Sequence, residues 1–201
     1  MITLYDSRLS GNGWKVRLLL SHLGTPFTRQ VLNLAEGEAR TPAFLRLNPL
    51  ARVPVLVLED ATVISESNAI LFYLAQGTPY LPSGAVESAR VMQWLFFEQF
   101  DHARFFARPR YLVSIAKAQD KFAAEIEYLR QIGQKALMAL EAQLWRTPFL
   151  AGSDYTIADI ALFPYTSMAE MGGYKLEAFP ALREWLERVR SQPGFTPLVA
   201  P

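Results

Sequence analysis

The chain has 201 residues, 51% hydrophobic and 19% charged, which predicts one or two ordinary domains and excludes a disordered or low-complexity chain. Twenty Lys and Arg against 19 Asp and Glu leave a net charge of +1, without the basic excess used to bind nucleic acid or a membrane surface. Cysteine is absent, which excludes disulfides, Cys-ligated zinc, iron–sulfur clusters and any thiol nucleophile of the chain's own; two distant histidines, His22 and His102, argue against a His-rich metal site.

Met1–Asp6 lacks the basic and apolar regions of a signal peptide, and no apolar run nears the roughly 18 residues of a spanning helix, so the expected compartment is the cytoplasm. Ile2–Tyr5 reads as a strand and Ser7–Gly13 as a loop. Trp14–Leu23 puts Val16, Leu19, Leu20 and Leu23 on one helical face, with Gly24 where a C-cap belongs. Phe27–Leu32 is a second strand, and Thr41 caps a short helix opened by Pro42. Val55–Leu58 and Thr62–Ile64 read as strands joined by a Glu59-Asp60 turn, and Ser67–Ala75 as a helix. The order predicts parallel pairing of the first two strands and antiparallel pairing of the last two.

Residues 78–85, rich in proline and glycine, read as a linker between an α/β domain over 1–77 and an all-helical domain over 86–201. Val86–Ala116 is one long helical pattern that Pro109 should kink or divide. Ala118–Leu144 is a second, striped by Ile126, Leu129, Ile132, Ala136, Leu137 and Leu140. Thr156–Ala169 and Ala178–Val189 are shorter helices, with Thr156 and Asp159 spaced as a capping box.

Three clusters hold residue types that carry chemistry. In Ser10-Gly11-Asn12-Gly13, two glycines allow close backbone approach to a ligand, and the helix start that follows offers unpaired N–H groups. The Gly-x-Gly lacks the third glycine of a dinucleotide fingerprint, since Val16 stands in its place; a tight turn with Ser10 as an ordinary cap is the competing reading. In Arg52-Val53-Pro54-Val55 a proline opens a buried strand, which requires an edge position or a cis Val53–Pro54 bond. Either leaves the Val53 backbone open to an extended, peptide-like ligand. Glu66-Ser67-Asn68 is a sound helix opening on capping grounds alone, and a hydroxyl beside free N–H groups also suits a carboxylate, with Glu66 placed to accept from an ammonium.

Taken in order, these features resemble the glutathione transferase superfamily, with its thioredoxin-like N-terminal domain (βαβαββα) and helical C-terminal domain, over essentially the whole chain. The resemblance is carried by Val53-Pro54-Val55-Leu56 followed by Glu66-Ser67-Asn68-Ala69-Ile70. Leu9-Ser10-Gly11-Asn12-Gly13-Trp14-Lys15-Val16-Arg17 looks like the bacterial zeta- or nu-like members that use a serine, and Ser153–Asp159 is similar to the family's C-terminal capping element.

The resemblance implies glutathione as co-substrate and no metal. Glu66 and Ser67 would hold its γ-glutamyl end, Val53 with Pro54 its cysteinyl unit, and Arg52 and Arg40 its glycyl carboxylate. Ser10 would face the sulfur, with Asn12 nearby. In tyrosine-type members the hydroxyl sits at the first strand's end, where matching puts Asp6, so Tyr5 reads as a packed residue; cysteine-type members are excluded by composition. A small hydrophobic electrophile would lie between the domains, with Phe105, Phe106, Arg110 and Tyr111 expected to line its pocket and His102 read as a structural histidine. The implied activity is a detoxifying transferase working as a two-fold homodimer. A glutathione-dependent disulfide reductase or peroxidase, and a non-catalytic binding module on the same fold, stay open beside it.

Overall fold

The computed structural model describes residues 1–199, which divide into two units: Met1–Gly77 together with the segment that begins at Pro193, and Thr78–Gln192. The first unit runs β1 (Ile2–Asp6), α1 (Gly11–His22), β2 (Phe27–Val31), α2 (Pro42–Leu47), β3 (Val55–Val57), β4 (Val63–Ser65) and α3 (Ser67–Leu74), with a single 3₁₀ turn at Glu38–Arg40 before α2. Its sheet has the order β2-β1-β3-β4. β1 and β2 are parallel, as a crossover helix between them demands, and β3 is antiparallel to both β1 and β4.

Period-two alternation sorts the side chains onto two faces. Leu4 and Leu56 pack with Val16 and Leu20 of α1 and Ile70 of α3, all fully buried. Their strand neighbours Tyr5 and Val55 turn the other way, onto Phe44 of α2 and Ala39. The Tyr5 ring lies 5.8 Å from that of Phe44, which makes it a core residue. Thr41 caps α2 as its sequence predicts, with Oγ1 accepting from the Phe44 N–H at 3.4 Å.

Two boundaries differ from the sequence reading. α1 starts at Gly11, three residues before Trp14, because Ser10 caps it and holds both glycines in the first turn. The helical unit ends at Gln192, and the segment after it folds back along α1. His22 Nδ1 donates to the Pro193 carbonyl at 2.8 Å, Trp14 Nε1 to that of Thr196 at 2.7 Å, and an Arg17 nitrogen to that of Leu198 at 2.8 Å.

The second unit is helical throughout. It comprises α4 (Ala85–Phe97), α5 (Ala103–Arg110), α6 (Ala123–Leu144), α7 (Ile157–Ser167) and α8 (Pro180–Arg190). Pro109 does not end the long pattern, because it sits in the last turn of α5; the interruptions are two wide π-type turns, Glu98–His102 and Tyr111–Ile115. The stripe on α6 is buried at Ile126, Leu129, Ala136, Leu137 and Leu140. No helix of the described residues is long and apolar enough to cross a membrane.

The capping box at α7 forms. Asp159, fully buried, accepts from the N–H groups of Leu150 and Thr156, both at 3.0 Å, and from Trp185 Nε1 of α8 at 2.9 Å. Burial outweighs these bonds and pushes its carboxyl up to about 6. The folded state then binds this proton more tightly than the unfolded chain does, so stability falls as pH rises from about 4 to about 6 and is level above that. Denaturant titrations across that range should show the decline in the wild type and a flatter profile in Asp159→Asn. Asp159→Ala, which strands three donors, should cost about 3–5 kcal/mol at neutral pH.

Candidate functional site

Three strands finish on one row. Tyr5 pairs with Val55 and Val55 with Ser65, so Asp6 and Glu66, which follow their partners, and Pro54, which precedes Val55 in the antiparallel β3, share one end of the sheet. α3 begins at Ser67 on this row, and the turn after β1 leads into the start of α1. Two helix N-termini and a proline loop are therefore gathered at one edge by strand register alone.

At the start of α1, Ser10 is half-buried, and its Oγ accepts from the Gly13 N–H at 3.1 Å. No described residue receives the hydroxyl's own proton. Asn12, two residues into the helix, holds its Oδ1 buried without a partner among the described residues. The turn that carries Ser10 is fixed from behind by Asp6, whose Oδ1 accepts from the Ser7 N–H at 2.6 Å. Asp6 Oδ2 receives Arg17 and Arg29, each at 2.9 Å. Burial pulls the Arg17 guanidinium down from its ordinary range, and Asp6 holds it up. Gly13 is dictated by the same carboxylate, since a Cβ there would lie 1.6 Å from Asp6 Oδ1.

The Val53–Pro54 bond is cis. The loop ahead of it is tied by Asn48, a residue that sequence reasoning passed over: its Nδ2 donates to the Arg52 carbonyl at 2.9 Å, and its Oδ1 accepts from the Leu50 N–H at 3.1 Å. Neither the amide nor the carbonyl of Val53 bonds to another described residue. Glu66, with φ +69, holds a left-handed backbone rare outside glycine, and no side chain caps α3 behind it. The first turn of α3 thus starts at this sheet end without a cap from the N-cap side chain, beside the Ser67 hydroxyl. Ser67 is buried and accepts from Lys15 Nζ of α1 at 3.3 Å. Lys15 is itself fully buried, and the only sequence signal for it was a charge placed among the inward positions of α1.

Ser10, Asn12, Val53, Pro54, Glu66 and Ser67 therefore share this sheet end. Arg40 and Arg52 are exposed, and no described residue engages either guanidinium.

Of the four residues expected to line an apolar pocket, three are buried and one is exposed. Phe106 is 1% exposed, stacked between His102 at 4.3 Å and Tyr174 at 4.5 Å, so both ring faces are taken. Phe105 and Arg110 are buried, Arg110 with its guanidinium pulled down by burial against the opposing pull of Tyr165, and Tyr111 is exposed beside Arg108. His102 is a structural histidine: Thr166 Oγ1 donates to the Leu162 carbonyl and so accepts from His102 Nε2, at 2.9 Å. Among the described residues no three His, Asp or Glu side chains are grouped to hold a metal.

The chain matches the family model for the glutathione S-transferase N-terminal domain over residues 9–76 and that for the C-terminal domain over residues 103–193. It is 30% identical to the disulfide-bond oxidoreductase YfcG of Escherichia coli over 96% of this chain and 92% of that one. A glutathione S-transferase from Pseudomonas fluorescens superposes with a TM-score of 0.96 at 41% identity, over 98% of each chain. The glutathione transferase URE2P6 of Phanerochaete chrysosporium, solved with oxidized glutathione, superposes at 0.87 with 27% identity, over 96% of this chain and 92% of that one.

A methyl group at Gly13 must displace Asp6 from its two arginines and from the Ser7 amide. Gly13→Ala should lower unfolding free energy by about 2–3 kcal/mol in urea, with loss of ligand binding at the sheet edge.

Proposed function

The chain belongs to the glutathione S-transferase family, and from that premise we propose that it binds glutathione along this sheet edge and activates the thiol for attack on a small hydrophobic electrophile. One observation carries the reading: Ser10 caps α1 as an acceptor, so its hydroxyl proton is left to donate outward, beside the positive end of the helix. The chain has no cysteine and supplies no thiol, and a tripeptide thiol supplies it.

A thiol with a pKa near about 8.5 is only a few per cent ionised at neutral pH, and the thiolate is the nucleophile. Lowering that pKa by about two units takes about 2.7 kcal/mol of preference for the anion, within reach of one charge-assisted hydrogen bond and a helix N-terminus. Ser10 donates to the sulfur, the thiol proton leaves to solvent, and the thiolate displaces the leaving group from the electrophilic carbon. Asn12 turns its buried, unpartnered Oδ1 to a donor of the peptide. The open backbone of Val53 pairs with the cysteinyl unit, in the manner of an added strand. Ser67 and the uncapped amides of α3 take the γ-glutamyl carboxylate, and Glu66 its ammonium. The strained φ of Glu66 fits a residue held for a ligand. Arg52 and Arg40, both uncommitted, serve the glycyl carboxylate. Phe105, Phe106, Arg110 and Tyr111 stay the residues offered to the electrophile, Phe106 with both ring faces packed. A two-fold homodimer in the cytoplasm with a detoxifying role completes the reading.

A second reading is a glutathione-dependent disulfide reductase, favoured by similarity to the Escherichia coli disulfide-bond oxidoreductase and to a fungal transferase that holds oxidized glutathione. The same thiolate attacks one sulfur of a disulfide and expels the other as a thiol; a second glutathione then resolves the mixed disulfide, leaving oxidised glutathione. The presence of Ser10, Asn12, Val53-Pro54 and Glu66-Ser67 together argues against a non-catalytic module.

Ser10→Ala should lower kcat with a chloronitroaromatic about tenfold to a hundredfold and leave affinity for glutathione within about threefold. Unchanged turnover would reassign the thiolate to Asn12 or to backbone amides. Reduction of a small disulfide without conjugation selects the second reading.

A further inference from the structure

Lysine is among the residues least often fully buried, and Lys15 is 0% exposed in the interior of the first unit. It lies in the second turn of α1, and its Nζ reaches Ser67 Oγ, the first helical residue of α3, at 3.3 Å. An ammonium has three protons and no lone pair, so in this bond the hydroxyl can only accept. The serine proton is turned away from Lys15. Ser67 Oγ makes no other hydrogen bond among the described residues, so that proton is uncommitted there. The hydroxyl belongs to the first turn of α3, where the N-cap side chain provides no cap.

We propose that Lys15 is a positioning residue: by donating to Ser67 it fixes the serine hydroxyl as a donor toward the carboxylate of the γ-glutamyl unit. The proposal deepens the glutathione reading given above and rests on it. Without Lys15 the hydroxyl is free to rotate, and the carboxylate loses one oriented donor. A second consequence is that a polar contact joins the start of α1, which carries Ser10, to the start of α3 beside the apolar packing of Val16 and Leu20 on Ile70. Specificity for the carboxylate is thereby built from a residue that never touches the ligand.

Two peptides separate this role from simple packing. Glutathione and its decarboxylated analogue, 4-aminobutyryl-cysteinyl-glycine, differ only in the α-carboxylate. Titration calorimetry of the full chain should show the wild type favouring glutathione. Lys15→Met should weaken glutathione about tenfold and leave the analogue unchanged, and Ser67→Ala should do the same. The double variant should lose no more than either single one, since the two groups act in series. Lys15→Gln removes the ammonium while keeping a polar tip in the buried site; it should give the same selective loss and serves as the test if Lys15→Met does not fold. If the Lys15 variants weaken both peptides alike, or neither, Lys15 only holds α1 to α3 and the inference is overturned while the glutathione reading stands. A wild type that binds neither peptide overturns both.

Discussion

The row Tyr5–Val55–Ser65 is the constraint on which the site depends. β3 is short, three residues between two antiparallel neighbours, and its register decides what stands at the end of the sheet. A slip of one residue would move Leu56 off the face it shares with Leu4 and set Val55 among the helices α1 and α3. The hydrophobic cost of such a slip, a few kcal/mol for misplacing two fully buried aliphatic side chains, is what holds Pro54 and Glu66 beside the turn after β1. Core packing and site geometry are thus one decision of the chain.

Behind that row, Asp6 converts sheet geometry into helix placement. It has no exposure, and it spends its two oxygens on two guanidinium groups and the amide of Ser7. A buried carboxylate left with one partner removed destabilises by about 3–5 kcal/mol, so the arrangement is kept or lost as a set. Arg17 extends the set to the returning C-terminal segment through the Leu198 carbonyl, and Gly13 gives the carboxylate room. Ser10 therefore stands in a turn determined from both sides: a capping bond ahead of it and a buried ion cluster beneath. Such rigidity suits the role proposed for this hydroxyl, because a donor already aimed need not reorganise when the anion forms.

Much of this was legible in the residues, and the reasons differ by element. The parallel pairing of β1 with β2 and the antiparallel pairing of β3 with β4 followed from loop lengths, because a twelve-residue helix needs a crossover and a short turn makes a hairpin; the place of β3 beside β1 did not. The capping pairs at Thr41 and Thr156–Asp159 are local chemistry and formed as spaced. The start of α1 was misjudged because glycine has poor helix propensity, yet Ser10 as cap and Asp6 as close neighbour explain both glycines inside the helix. Pro109 read as a breaker, but in the last turn of α5 its effect is slight, whereas the π-type turns that do interrupt the helix have no sequence signature. Spacing alone could not show that Phe106 is stacked between His102 and Tyr174, because its two ring partners come from different elements. Lys15, Asn48 and the return of the chain at Pro193 involve partners far apart in sequence or backbone carbonyls, and neither leaves a pattern to read.

The proposed chemistry reduces to the state of one sulfur. Thiolate absorbance of bound glutathione, followed in the near ultraviolet as pH is raised on saturated protein, reads that state directly and needs no second substrate. The account requires the bound thiol to titrate about two units below the free peptide, and to return most of the way in Ser10→Ala. Bound glutathione that ionises where the free tripeptide does, in a wild-type chain that holds it tightly, contradicts the account.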